Sequence, residues 1–170
     1  RLAHQRGADV FISLHADALA QGVAHGARIF SLSDEASDAA SAALAERHDR
    51  LDILSGIDLN GADDVVTDVL LDLARLETAP RARALAKSVL AGIENATGDL
   101  YKQPLQQAAF SVLKAADIPS ILVEAGFLST DQDLDNLIDP LWRAGFIAGL
   151  SDGLAAWVIS DRAEAALRRR

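Results

Sequence analysis

The sequence predicts an α/β fold: a central, mostly parallel or mixed sheet flanked by helices, with a helical insertion over 33–61. Three observations lead there. The stretch Asp9–Ala18 (D-V-F-I-S-L-H-A-D-A) is apolar and β-branched up to His15, as in a buried central strand. Ile118–Thr130 (I-P-S-I-L-V-E-A-G-F-L-S-T) is a second such run, ending on Glu124. Between and after them lie segments with apolar residues at three- and four-residue spacing, the mark of amphipathic helices. No repeat, low-complexity linker or Gly-rich phosphate loop is present. Strands interleaved with helices define the class.

The elements follow in order. Arg1–Arg6 reads as the last turns of a helix that Gly7 stops. The first strand covers Val10–Leu14, with His15 at or just past its end. Gly22, His25 and Gly26 punctuate a loop before a short strand, Ala27–Leu32. Ser33, Asp34 and Glu35 open a helix whose thin apolar face is Ala36, Ala39, Ala40, Ala43 and Leu44. Gly56, Asp58, Asn60 and Gly61 form the loop behind it. Asp63–Leu76 is an amphipathic helix on Val66, Val69, Leu70, Leu73 and Leu76; Thr78 and Pro80 start another, with Leu85, Val89, Leu90 and Ile93 in the core. That helix ends near Gly98. Lys102–Gln107 is a polar connector, Phe110–Leu113 a short strand and Ile121–Glu124 the second central strand. Thr130 with Asp133 has the spacing of a capping box. Asp139-Pro140 starts a terminal helix with Phe146, Ile147, Leu150, Leu154, Trp157 and Val158 on its apolar face.

Composition narrows the partners. With 170 residues, half of them hydrophobic, the chain suits one domain over 1–160 and a basic tail over 161–170. A net charge of −9 argues against a nucleic-acid surface, and no apolar run is long enough for a transmembrane segment. With no cysteine, any metal must be held by histidine and carboxylates. There is no methionine, and the chain opens as though inside a helix (R-L-A-H-Q-R-G), which reads as a fragment whose signal peptide would not be seen.

Two strands that each deliver one ionisable side chain suggest a single site, a metal-binding histidine facing an acid–base carboxylate. His15 can equally be a strand-end histidine capped by a backbone group, and Asp17 can orient His15 or cap the turn. His4 and His25 end no strong strand. On the insertion, Glu46, His48, Asp49 and Asp52 form a dense polar cluster, with His48 and Asp52 on one helical face. It is either a solvated face or a plug that sets an imidazole or carboxylate against a metal.

These residues resemble a known family. A-D-V-F-I-S-L-H-A-D-A and the later F-S-V-L-K-A-A-D-I-P-S-I-L-V-E-A-G-F-L-S are similar to motifs of the zinc-dependent N-acetylmuramoyl-L-alanine amidases of the amidase-3 type. These are bacterial cell-wall hydrolases with a phosphorylase/hydrolase-like fold. The resemblance covers residues 1 to 159, and L-A-E-R-H-D-R-L-D-I-L-S-G-I-D-L resembles the insertion of the cell-separation subgroup, whose helix blocks the active site. It implies His15 as a Zn2+ ligand, Glu124 as catalytic acid–base and cleavage of the bond between N-acetylmuramic acid and L-alanine of peptidoglycan. It also implies a periplasmic location and an activator protein with a degenerate metallopeptidase-like domain, docking on the polar helix and the Asp58–Asp64 loop.

The sequence departs from the family pattern in two places. The other two zinc ligands, a histidine in a Gly-His-Gly-Gly loop and a glutamate, are expected upstream, so this chain carries one ligand of three and is expected to bind zinc poorly and be inactive alone. Where relatives have R-E-N, the insertion reads Arg47-His48-Asp49. The zinc contact of the plug is then His48, Glu46 or Asp49, and a bulky charge at Ala40 or Ala43 is expected to raise activity. The alternative is a non-catalytic wall-binding or regulatory module of the same fold.

Overall fold

A computed structural model describes residues 2–18, 24–54 and 65–168, with side chains other than those of 2, 4, 51–54, 65–72, 166 and 168. Several expectations therefore lie outside the described residues: the loop at Gly22, Gly56, Asp58, Asn60 and Gly61, the Asp58–Asp64 surface, and the side chains of His4, Asp52, Val66, Val69 and Leu70.

The elements are α1 (Leu2–Gln5), β1 (Phe11–Asp17), β2 (Ala27–Leu32), α2 (Ala39–Leu54), α3 (Val65–Thr97), β3 (Leu100–Ala108), β4 (Ser120–Phe127), α4 (Asp131–Ile138) and α5 (Pro140–Arg168). The strands form one sheet in the order β1-β4-β2-β3. Phe11 N–H donates to the Pro119 carbonyl at 3.0 Å and Leu128 N–H to the Asp17 carbonyl at 2.7 Å, so β1 and β4 run parallel. Ala27 with Asp99 and Ser33 with Ala108 set β2 parallel to β3 in the same way. The α/β class with a helix-flanked sheet stands as predicted.

The chain divides into two compact units. Unit one comprises Arg1–Ser13, Phe30–Ala82 and Gln106–Leu122. Its core packs Phe30, Leu44, Ala45, Ala108, Phe110, Leu113 and Leu122, with the Phe30 and Phe110 rings edge-on at 5.0 Å. α2 starts later than Ser33, because Asp38 is its cap: its carboxylate accepts the Ser41 N–H at 2.7 Å and the Ser41 hydroxyl at 2.8 Å. The buried stripe is Ser41, Leu44, Ala45 and His48, whereas Ala39, Ala40 and Ala43 are exposed.

Unit two comprises Leu14–Ile29, Arg83–Leu105 and Val123–Arg170. Here α3 and α5 meet through glycines. A Cβ on Gly92 would come within 2.1 Å of the Gly149 carbonyl oxygen, and one on Gly153 within 2.5 Å of that of Ser88. The Ser88 hydroxyl donates to the Gly153 carbonyl at 2.7 Å. Buried Val89, Ile93, Phe146 and Trp157 belong to the same two helices, while Ile147, expected in the stripe, is exposed.

Other differences have local causes. β1 stands at a sheet edge and is only half-buried, not a buried central strand, and His15 lies within it. The two helices expected around Pro80 are one, since no loop-forming residue separates them and Pro80 is exposed. Leu73 and Leu76, assigned to the core, are 63% and 73% exposed. The connector at Lys102–Gln107 is part of β3, an edge strand where Pro104 is tolerated. Phe110–Leu113 is no strand: Ser111–Leu113 forms a 3-10 turn.

Candidate functional site

Unit two brings three of the predicted residues onto neighbouring strands. The pleat of β1 puts His15 and Asp17 on one face, both half-buried, while Leu14 and Ala16 between them are exposed. Asp17 ends the strand, and its Oδ1 accepts the Ala18 N–H at 2.8 Å. Glu124 lies in the middle of β4 and is 0% exposed. A carboxylate oxygen of Glu124 and one of Asp17 lie within 4.8 Å of each other.

Imidazole and carboxylate donors are the set zinc accepts when no thiolate is present. Asp17 and Glu124 are donors of the kind that zinc accepts, and His15 stands on the strand that neighbours Glu124.

A buried scaffold holds the end of β4 against the start of β2, and sequence reading missed it. The Asp133 carboxylate accepts N–H groups from Phe127 at 2.7 Å and from Gly26 at 3.1 Å. The expected capping box is absent, because both of its side chains are used elsewhere: the Thr130 hydroxyl donates to the Ala24 carbonyl. Gly26 has φ +85°, and a Cβ there would lie 2.5 Å from the Leu100 carbonyl carbon. Beside it the guanidinium of Arg28, 3% exposed, lies over both the Tyr101 and Phe127 rings, 5.1 and 4.9 Å from their centroids, and the two rings are themselves 5.9 Å apart. His25 is an exposed loop residue, 3.3 Å from Asp99.

Unit one carries the insertion residues on α2. Glu46 is exposed and pairs with Arg50 at 3.5 Å. Asp49 accepts the Ser111 N–H at 3.0 Å and the Ser111 hydroxyl, capping the 3-10 turn. His48 is buried at 8% exposure, its ring edge-on to Phe110 at 5.7 Å. Of the three candidates on this helix, His48 alone is buried.

The comparisons with known proteins agree with one another. The family model for N-acetylmuramoyl-L-alanine amidase matches residues 1–156. The amidase AmiA of Salmonella typhimurium (strain LT2) is 33% identical over 157 residues, 92% of this chain and 54% of that protein. AmiC of Escherichia coli O6:H1 (strain CFT073) is 32% identical over 156 residues, 91% of this chain and 37% of that protein. The chain thus spans about half, or less, of the length of these curated relatives. In fold it is similar to the N-acetylmuramoyl-L-alanine amidase of Clostridium difficile 630, with a TM-score of 0.61 at 21% identity over 94% of this chain and 62% of that one. It is also similar to the CwlD amidase from Clostridioides difficile, solved in complex with the GerS lipoprotein, with a TM-score of 0.58 at 17% identity over 90% and 56%.

Proposed function

Because the chain belongs to the N-acetylmuramoyl-L-alanine amidase family, we propose that it forms catalytic machinery of a peptidoglycan hydrolase. The bond cleaved joins N-acetylmuramic acid to the L-alanine of the stem peptide, in the periplasm, during wall remodelling and daughter-cell separation. The observation that carries this reading is the wholly buried Glu124 carboxylate beside that of Asp17, with His15 on the adjacent strand. Among the described residues no helix is long and apolar enough to cross a membrane.

His15 would be a ligand of the zinc ion. Bound there, zinc supplies an activated water and polarises the lactyl carbonyl. Glu124 takes the proton of the attacking water on its carboxylate and passes a proton to the leaving amine. Its burial shields that proton from exchange with bulk solvent. Asp17, two residues along the same face of β1 as His15, would orient His15 from beside the metal.

In this reading α2, which carries His48, restrains the enzyme, and an activator protein with a degenerate metallopeptidase-like domain shifts the helix. The burial of His48 beside Leu44 and Ala45, on the one stripe of α2 that is not solvated, supports that role. The test uses the full-length protein carrying this chain and dye-labelled peptidoglycan. Dye release that Glu124→Gln abolishes, with bound zinc retained, is the expected result. Release at the wild-type rate by that variant would refute the acid–base assignment.

A further inference from the structure

Unit one contains a cavity lined by none of the residues assigned above. Its volume is about 160 Å³, below the roughly 300 Å³ at which sites for drug-sized ligands begin. It suits a molecule of small-metabolite size. The inner wall is apolar and buried, formed by Ala82, Leu113 and Ile118. Three buried hydroxyls interrupt it, from Ser31 of β2, Thr78 of α3 and Ser120 of β4. Two of these are oriented: Ser31 accepts from the Gln107 side-chain amide at 3.4 Å, and Ser120 donates to the Ile118 carbonyl at 2.8 Å.

The charged lining is what selects a ligand. Arg75, half-buried on α3, and exposed Lys114 both line the cavity, and Asp34 is the only carboxylate among the described residues that line it. In a protein of net charge −9, a cavity with more cations than acids is a local exception that favours an anion. A guanidinium matches the two oxygens of a carboxylate as a fork. The apolar wall gains from burying methyl and methylene groups, which inorganic phosphate does not offer. A doubly charged anion would also meet Asp34.

We propose that this cavity binds a small organic carboxylate with a short apolar tail, the carboxylate on Arg75 and Lys114 and the tail against Leu113 and Ile118. The ligand is either a free acid or the carboxyl terminus of a peptide, which share that chemistry. The inference stands independently of the hydrolase reading. Calorimetric titration of the full-length protein with butyrate, N-acetylalanine and inorganic phosphate tests it. Saturable binding of either carboxylate, weakened at least tenfold by Arg75→Gln, is expected. Ala79→Leu, which narrows the cavity without changing its charge, must weaken binding as well. Tighter binding of butyrate assigns a free acid, and of N-acetylalanine a peptide terminus. Phosphate binding as tight as either carboxylate, binding unmoved by both variants, or no saturation by any probe would overturn the proposal.

Discussion

At the residue scale, three side chains carry the proposed chemistry and its support. Glu124→Gln keeps the shape of the buried carboxylate and removes its proton-accepting role; turnover by the full-length protein should fall about 10²- to 10⁴-fold. Zinc content by atomic emission should not change. Asp133 is a structural counterpart, since its carboxylate is the acceptor for two backbone N–H groups at the ends of β4 and β2. Asp133→Ala should lower stability by about 2–4 kcal/mol, read from the urea midpoint, because each buried donor left unsatisfied costs roughly 1–3 kcal/mol. His15 and Glu124 were legible in the sequence because each interrupts an apolar strand with one ionisable group. Asp133 was not, because its partners are main-chain groups 6 and 107 residues away, which no side-chain pattern records.

At the element scale, α2 carries the sharpest prediction. The packing of Leu44 in the core and the exposure of Ala40 and Ala43 move the sensitive positions from those the sequence suggested. Leu44→Ala should loosen the helix, at about 2–5 kcal/mol of lost packing, and raise basal dye release in the absence of any activator. Ala43→Arg should leave both the urea midpoint and the basal rate unchanged. Equal basal rates for wild type and Leu44→Ala would count against restraint by α2. The helix itself was legible, but not its buried stripe, since alanines do not reveal which face packs. β2 was read with its observed bounds because polar and glycine residues flank a short apolar run. β3 was not, because an edge strand carrying Lys102, Gln103 and Pro104 has the composition of a loop. Pro80 misled in the opposite sense, as the helix passes through it.

On the scale of the whole molecule, a metal held only by nitrogen and oxygen donors should be removable. Chelation of the full-length protein should abolish dye release, and added zinc should restore it, with the far-ultraviolet circular dichroism unchanged throughout; activity that survives exhaustive chelation would remove zinc from the reading. The pairing of β1 with β4 reaches beyond equilibrium structure. Phe11 bonds to Pro119, so β1 meets its described partner only after about a hundred further residues have been made. At a bacterial ribosome adding about 5–20 residues per second, β1 waits several seconds with an open edge and with Leu14 exposed. During that interval the unpaired edge is open to pairing with another chain, which makes the nascent polypeptide most prone to aggregate before β4 is made.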